Sequence, residues 1–247
     1  MKIAVIGHSS CIPDVGTEMA CLLINGKHLI DTGWCAVLKM REYGFNPLDL
    51  ESLLITHFHQ DHYLGLPHLL FYIGLRSKRE ERAPFNLVGP ADHLERVVGA
   101  ADELQQIHRF PELEVGKRLV PVVPGDSFDL GELHFDTFAA NHISGHMRQE
   151  QAIVYKATER ETGACFVYTG DTHPHPPIAE FAKGAPLLIH DGSHTPADKA
   201  AEIAKAAGVG RLVLIHYAES QAEQKLAAAR AIFPKTELAR EGDTLTI

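Results

Sequence analysis

The chain has no apolar run long enough to cross a membrane, no cysteines spaced C-x-x-C and no excess of basic charge. Each absence removes a class of protein. A helical crossing needs about 20 consecutive apolar residues. Residues 1–7 are too short an apolar run for a secretory signal and fit a first strand instead. The four cysteines, Cys11, Cys21, Cys35 and Cys165, lack the paired spacing of a thiolate metal site or a redox dithiol. Free thiols in a reducing compartment are therefore expected, and with the missing signal they indicate the cytoplasm. Cys11 and Cys35 are expected as buried or supporting thiols, not as ligands. Lysine and arginine total 23 against 32 aspartates and glutamates, a formal net charge of −9. A protein that grips a long polyanion normally carries a basic patch, because neutralising phosphates supplies much of the affinity. The clearest basic run, Arg76-Ser77-Lys78-Arg79, is followed at once by Glu80-Glu81, as in a solvated loop. A small anionic substrate is expected, and long RNA is not.

Short repeats, low-complexity tracts and linker-like stretches are missing as well. With 247 residues and 45% hydrophobic content, the chain can bury a large core, and one domain spanning residues 1–247 is expected.

What the chain does have is histidine, 16 in all, and three of them fall within His57-Phe58-His59-Gln60-Asp61-His62. This box follows the apolar run Leu53-Leu54-Ile55-Thr56 and precedes Tyr63-Leu64-Gly65-Leu66-Pro67. Imidazole nitrogen and carboxylate oxygen are the donors of a borderline metal such as zinc. A loop leaving a buried strand is also where α/β folds place their sites. Three further strand ends deliver ligand types: Asp171 after Phe166-Val167-Tyr168-Thr169-Gly170, His216 after Leu212-Val213-Leu214-Ile215, and His142 after Phe138-Ala139-Ala140-Asn141. The ligand count closes on two ions. His57, His59 and His142 would serve the first and Asp61, His62 and His216 the second, with Asp171 between them and room for a shared water. His146 competes with His142 for the first site. It lies further into a glycine-containing loop, where substrate contact suits it better.

These motifs resemble those of the metallo-β-lactamase superfamily, and the resemblance runs from Gly7 to about Ile215. It rests on the H-x-H-x-D-H box, Leu29-Ile30-Asp31-Thr32-Gly33 before it, Thr169-Gly170-Asp171-Thr172, and His216 at the last strand end. The wording is most similar to the ribonuclease Z branch and its phosphodiesterase relatives, both from Ile55 to Pro67 and in Leu187-Leu188-Ile189-His190 followed by an acid. The resemblance implies an α/β fold, the four-layer αββα sandwich. It also implies two divalent ions, usually zinc, and hydrolysis of a phosphodiester. Manganese or iron would suit the same donors. A homodimer can serve active sites in that branch.

There are departures. Ribonuclease Z carries Glu-Ala-Thr after the equivalent of His190, whereas this chain has Asp191-Gly192-Ser193. The family's His-Ser-Thr box, whose histidine assists the leaving group, is replaced by Ser193-His194-Thr195, and His194 is the candidate for that role. The long basic arm that grips transfer RNA has no counterpart in residues 91–118, which are too short and hold at least as many acids as bases.

A pair of bound ions lowers the pKa of a shared water enough to give hydroxide near neutral pH. Asp61 is placed to orient that water or accept its proton, and His194, His175 or His146 to protonate the leaving oxygen. Asp31 is expected behind an imidazole, fixing its tautomer. The metal box does not choose the electrophile. A thioester, lactone or other carboxyl-ester hydrolase is therefore the alternative, and a non-hydrolytic di-metal protein a third class. His59 speaks against the third, which a glutamate at that position would favour. Substrate choice is expected to lie in loops 11–19, 142–151 and 173–177.

Strands are predicted at residues 2–6, 20–24, 28–30, 53–55, 85–88, 120–123, 133–138, 152–157, 164–168, 187–190 and 211–215. Asn25-Gly26 marks a hairpin. Helices are predicted at 36–43, 65–73, 91–104, 196–207 and 221–232, with Gly208 stopping the fourth.

Overall fold

In the computed structural model, which describes residues 1–77, 83–142 and 151–247, two sheets lie face to face. The first contains β1 (Lys2–Gly7), β2 (Cys21–Ile24), β3 (His28–Ile30), β4 (Ser52–Leu54), β5 (Phe85–Pro90), β6 (Lys117–Val122) and β14 (Thr244–Thr246), in the order β14-β1-β2-β3-β4-β5-β6. The second contains β7 (Ser127–Leu130), β8 (Leu133–Ala139), β9 (Ile153–Glu159), β10 (Cys165–Tyr168), β11 (Leu187–Asp191), β12 (Arg211–Ile215) and β13 (Thr236–Leu238), in the order β13-β12-β11-β10-β9-β8-β7. Each sheet begins with antiparallel hairpins and continues with parallel strands: β3 to β6 in the first, β10 to β13 in the second. The chain end returns to the first sheet, where β14 pairs antiparallel with β1.

Period-two alternation separates the faces of each strand. Val5, Leu22, Ile24, Ile30 and Leu54 point to the centre of the sandwich, where they meet Phe135, Ile153, Tyr155, Phe166, Tyr168 and Val213. Their neighbours Ala4, Ile6, Leu23, Leu53 and Leu87 point outward. There they are covered by α1 (Ala36–Glu42), α3 (Leu66–Arg76) and α4 (Leu94–Leu104), through Val37, Met40, Leu70, Ile73, Leu94 and Val98. On the far side, Val154, Val167, Leu188, Leu212 and Leu214 lie under α5 (Ile178–Phe181), α6 (Ala197–Ala207) and α7 (Ala222–Arg230). The layers are helix, sheet, sheet, helix, as expected. Each fully buried leucine or isoleucine contributes roughly 1.5–3 kcal/mol of transfer free energy. Strands covered on both faces must therefore be apolar at nearly every position, which is why β4 and β10 read as continuous runs. Among the described residues no helix is long and apolar enough to cross a membrane.

The parallel strands place their carboxyl ends at one edge of the sandwich, and the chemistry-bearing residues follow those ends. Asp31 follows β3, Thr56-His57 follow β4, Asp171 follows β10, Asp191 closes β11 and His216 follows β12. A short helix, α2 (Gln60–Tyr63), carries the second half of the histidine box. Sequence periodicity does not predict it, because four residues, two of them the site's Asp61 and His62, are too few to show an apolar face. The edge strands β7, β13 and β14 also differ from expectation. They are three or four residues long and mostly half-exposed or exposed, so no buried alternation marks them. Helix α4 starts three residues later than predicted because Ala91 still donates to Val122 O across the β5–β6 edge.

Candidate metal centre

The loop after β4 is tied down by the preceding strand's neighbours. Asp31, in the left-handed region with φ 60°, turns its carboxylate under this loop. It accepts from Thr56 N at 2.8 Å and from the Thr56 hydroxyl at 2.9 Å, and its Oδ2 lies 2.9 Å from His62 Nδ1. Burial raises the pKa of the Asp31 carboxyl, against the pull of His62 and the Thr56 donors. The Thr56 hydroxyl also lies 3.1 Å from His57 Nδ1. Both imidazoles are thus held by one nitrogen, and Nε2 of each is buried without a hydrogen-bond partner among the described residues. The supporting turns are tight. A Cβ on Gly65 would collide with Gly33 O, and one on Gly170 (φ 55°) would meet Thr56 Cβ at 2.8 Å. Glycine is required where the backbones of these turns and the loop meet.

Seven predicted ligand residues converge here in two groups. Ligand atoms of His57, His59 and His142 lie within 4.8 Å of one another, and so do those of Asp61, His62, Asp171 and His216. His142 Nε2 is 2.9 Å from His59 Nδ1. Asp61 Oδ2 is 3.3 Å from both His62 Nε2 and His216 Nε2. Asp171 faces both groups. Its Oδ1 is 3.4 Å from His62 Nε2 and 3.3 Å from His216 Nδ1, while its Oδ2 is 3.9 Å from His57 Nε2 and 4.0 Å from His142 Nε2.

The donor set fits divalent ions on its own chemistry. Among the described residues, Nε2 of His57 and His62, Nδ1 of His142 and Oδ1 of Asp171 are buried with no hydrogen-bond partner. Leaving such groups unpaired in a protein interior is costly. Burial, then the neighbouring imidazoles, holds His57 well below its ordinary pKa. Burial pushes His142 down to about 4. Neutral imidazole is the form that binds metal. Burial pulls His216 down, but the charges of Asp171 and Asp191 override it and raise His216 to about 10. Burial likewise opposes ionisation of Asp61, yet hydrogen bonds to His216 and His62 keep it well below the usual carboxylate range.

The sequence matches the Beta-lactamase superfamily domain over residues 27–217. The chain belongs to the beta-lactamase superfamily. A ribonuclease Z from Methanothermobacter thermautotrophicus is 25% identical, over all of this chain and 96% of its own length. Among solved structures, the metallo-beta-lactamase fold protein YhfI from Bacillus subtilis superposes with a TM-score of 0.78 at 19% identity, covering 99% of both chains. Human tRNase Z, short form, superposes with a TM-score of 0.73 at 21% identity, covering 100% of this chain and 99% of its own. The protein is thereby placed among metal-dependent hydrolases of the metallo-β-lactamase fold.

Sequence reasoning gave no individual role to two residues of this site. Asp191 is fully buried and organises the segment beyond it. It accepts from Ser193 N at 2.7 Å and Thr172 N at 3.0 Å, and lies 3.0 Å from His194 Nδ1 and 3.4 Å from His216 Nδ1. The available signal was the one that found Asp171: a carboxylate closing an apolar strand. His173 sits at the rim, its ring centroid 5.6 Å from that of His194 and 5.9 Å from that of His142. His194 stacks on His216 at 5.4 Å and is raised above its ordinary pKa by the hydrogen bond to Asp191. His175 instead lies beside Phe138, ring centroids 6.0 Å apart. His146, most of loop 142–151 and Lys78 to Glu81 of the basic run lie outside the described residues. Cys11 and Cys35 are exposed rather than buried, because the turns that carry them lie on the surface, and neither is among the gathered donors. All four cysteines are free.

Proposed function

We propose that this chain is a phosphodiesterase with a dinuclear centre, most suited to small or cyclic phosphodiesters. His57, His59 and His142 would hold one divalent ion, Asp61, His62 and His216 the other, and Asp171 would be shared. Zinc is the default choice for these donors. The supporting observation is the Asp171 carboxylate, whose two oxygens face different groups of histidines. Bound ions would acidify a water and neutralise a phosphoryl oxygen.

The chain's own groups supply the rest. Asp61 is ionised and faces the gathered donors, positioned to orient the attacking water or take up its proton. His194 has Nδ1 engaged by Asp191, which leaves Nε2 to protonate a leaving oxygen. Its ring is partly exposed, at 30% of the side chain, where a substrate can reach it. Asp191 sets the tautomer and orientation of that imidazole.

Small substrates are favoured by the −9 net charge. The match to the Methanothermobacter relative extends over 300 positions, more than this chain has residues, so the relative carries segments without counterparts here. An RNA 3′ end is the second substrate class, supported by that relative's description as a ribonuclease Z. Free thiols suit a reducing interior, and we place the protein in the cytoplasm. The test is turnover by metal-loaded protein of bis-p-nitrophenyl phosphate, a cyclic nucleotide, a thioester and a lactone. Hydrolysis of the phosphodiesters alone supports the assignment. Hydrolysis of only the thioester or lactone moves the protein to the carboxyl-ester class.

A further inference from the structure

We infer that a second kind of metal site, for one divalent ion of the zinc type, lies between His28, Glu51 and Glu132, at the end of the sandwich opposite the dinuclear centre. His28 opens β3 and pairs in register with Ser52, the first residue of β4, so it sits at the start of the strands whose far ends carry the centre. Glu132 lies in the turn between β7 and β8 of the other sheet. The site would therefore join the two sheets where their hairpins meet.

Three observations carry this. First, His28 is completely buried, yet its Nε2 has no hydrogen-bond partner among the described residues. Its nearest carboxylate oxygen, Glu132 Oε2, lies 3.5 Å away. The other nitrogen, Nδ1, lies 2.8 Å from the Ser52 hydroxyl. With the Ser52 hydroxyl accepting from Nδ1–H, the Nε2 lone pair is left outward, the arrangement that outer partners give metal-bound histidines. Burial also lowers the pKa of His28, against the pull of Glu132 and Glu51, which favours the neutral ring.

Second, each carboxylate has one oxygen already held by another side chain, so the other is the one available to an ion. Asn25 Nδ2 donates to Glu132 Oε1 at 3.3 Å. Lys27 Nζ pairs with Glu51 Oε1 at 2.9 Å. The second oxygens, Glu132 Oε2 and Glu51 Oε2, are the ones turned toward His28. Ligand atoms of all three residues lie within 4.8 Å of one another. At zinc–ligand lengths of about 2.0–2.2 Å, tetrahedral donors stand roughly 3.4 Å apart. The half-exposed Glu51 needs only a small side-chain movement to reach that spacing.

Third, a glycine keeps the space between them clear. A Cβ on Gly131 would stand 3.2 Å from Glu51 Oε2 and 3.7 Å from His28 Nε2. Imidazole nitrogen and carboxylate oxygen are both zinc donors, and water can complete a shell that has three protein ligands.

The test compares zinc content of the wild-type protein with that of Glu132→Gln and His28→Gln after saturation and gel filtration. The Glu132→Gln change keeps the acceptor for Asn25 and alters a half-exposed side chain in a turn, so this variant is expected to fold. Both variants should carry one zinc per chain fewer than wild type, with phosphodiester hydrolysis unchanged. Crystals of the wild type should show an anomalous zinc peak between His28 and Glu132. Because the readout is a difference, it does not depend on how many ions the strand-end centre holds. Equal zinc content in wild type and either variant, or no anomalous peak at His28, would overturn the site and leave a His–Glu ion pair.

Discussion

Asp31 Oδ2 lies 2.9 Å from His62 Nδ1, and the opposite nitrogen of the same ring lies 3.4 Å from Asp171 Oδ1. One buried carboxylate thus aims an imidazole at another carboxylate across the site. Asp31 also binds the backbone and hydroxyl of Thr56, which in turn contacts His57. It connects to both proposed ion sites without facing either.

Replacing Asp31 with asparagine keeps the size but lets the amide present N–H to His62, which reverses the tautomer. Zinc affinity or kcat/KM should fall by about 10–100-fold, the usual cost of losing an outer partner. The measurement is competition with a chromophoric chelator alongside steady-state kinetics. Wild-type values for both would reduce Asp31 to a structural turn residue.

Asp171→Ala should cost more than that, and more than His142→Ala or His216→Ala singly, because one carboxylate faces both histidine groups. The double change His57→Ala, His59→Ala should empty at least the first ion site and abolish hydrolysis. Elemental analysis of each purified variant decides it. Retention of all metal by the Asp171 or double variant would dismantle the proposed ligand set.

His142 and His146 can be separated in the same way. His142→Ala should lose metal, since His142 Nε2 lies 2.9 Å from His59 Nδ1. His146→Ala should keep its metal while changing KM or kcat. The opposite pattern would exchange their roles.

Much of this geometry was legible in the sequence for one physical reason. A strand buried on both faces is an apolar run, so the polar residue that ends it stands out. Asp31, His57, Asp171 and His216 all carry that signature, whereas His142 follows the alternating, half-exposed strand β8. Asp191 carries it as well, but its function depends on what its carboxylate bonds to. Those partners, Thr172, His194 and His216, are brought together by parallel pairing of β10, β11 and β12 and by no local pattern. The His28 cluster was invisible for a similar reason. Its members come from β3, the segment before β4 and the turn of the other sheet, and a lone histidine in a strand suggests only a core position.

His194 offers a chemical test. If it protonates the leaving oxygen, His194→Gln should slow substrates with alkoxide leaving groups by about 10²–10⁴-fold, the usual contribution of a positioned general acid. Bis-p-nitrophenyl phosphate should be affected far less, because its leaving group is stable without a proton. Metal content should be unchanged. An equal loss on both substrates would assign His194 to binding or to structure.

The last prediction concerns RNA. Proteins that hold structured RNA neutralise many phosphates, and their affinity falls steeply with salt as counterions are released. Here acidic side chains outnumber basic ones, 32 to 23, and the matched ribonuclease Z has segments that this chain lacks. Precursor transfer RNA should therefore bind weakly, with an affinity that collapses between about 50 and 200 mM salt. Small phosphodiesters should be turned over with little salt dependence, because they engage the centre and few surface charges. Competition settles the order: the small substrate should not be displaced by precursor RNA at physiological salt. Accurate 3′ cleavage of that precursor under the same conditions would mean that other surfaces, such as a second copy of the chain, supply the grip. The centre proposed here would then act on RNA ends without an arm of its own.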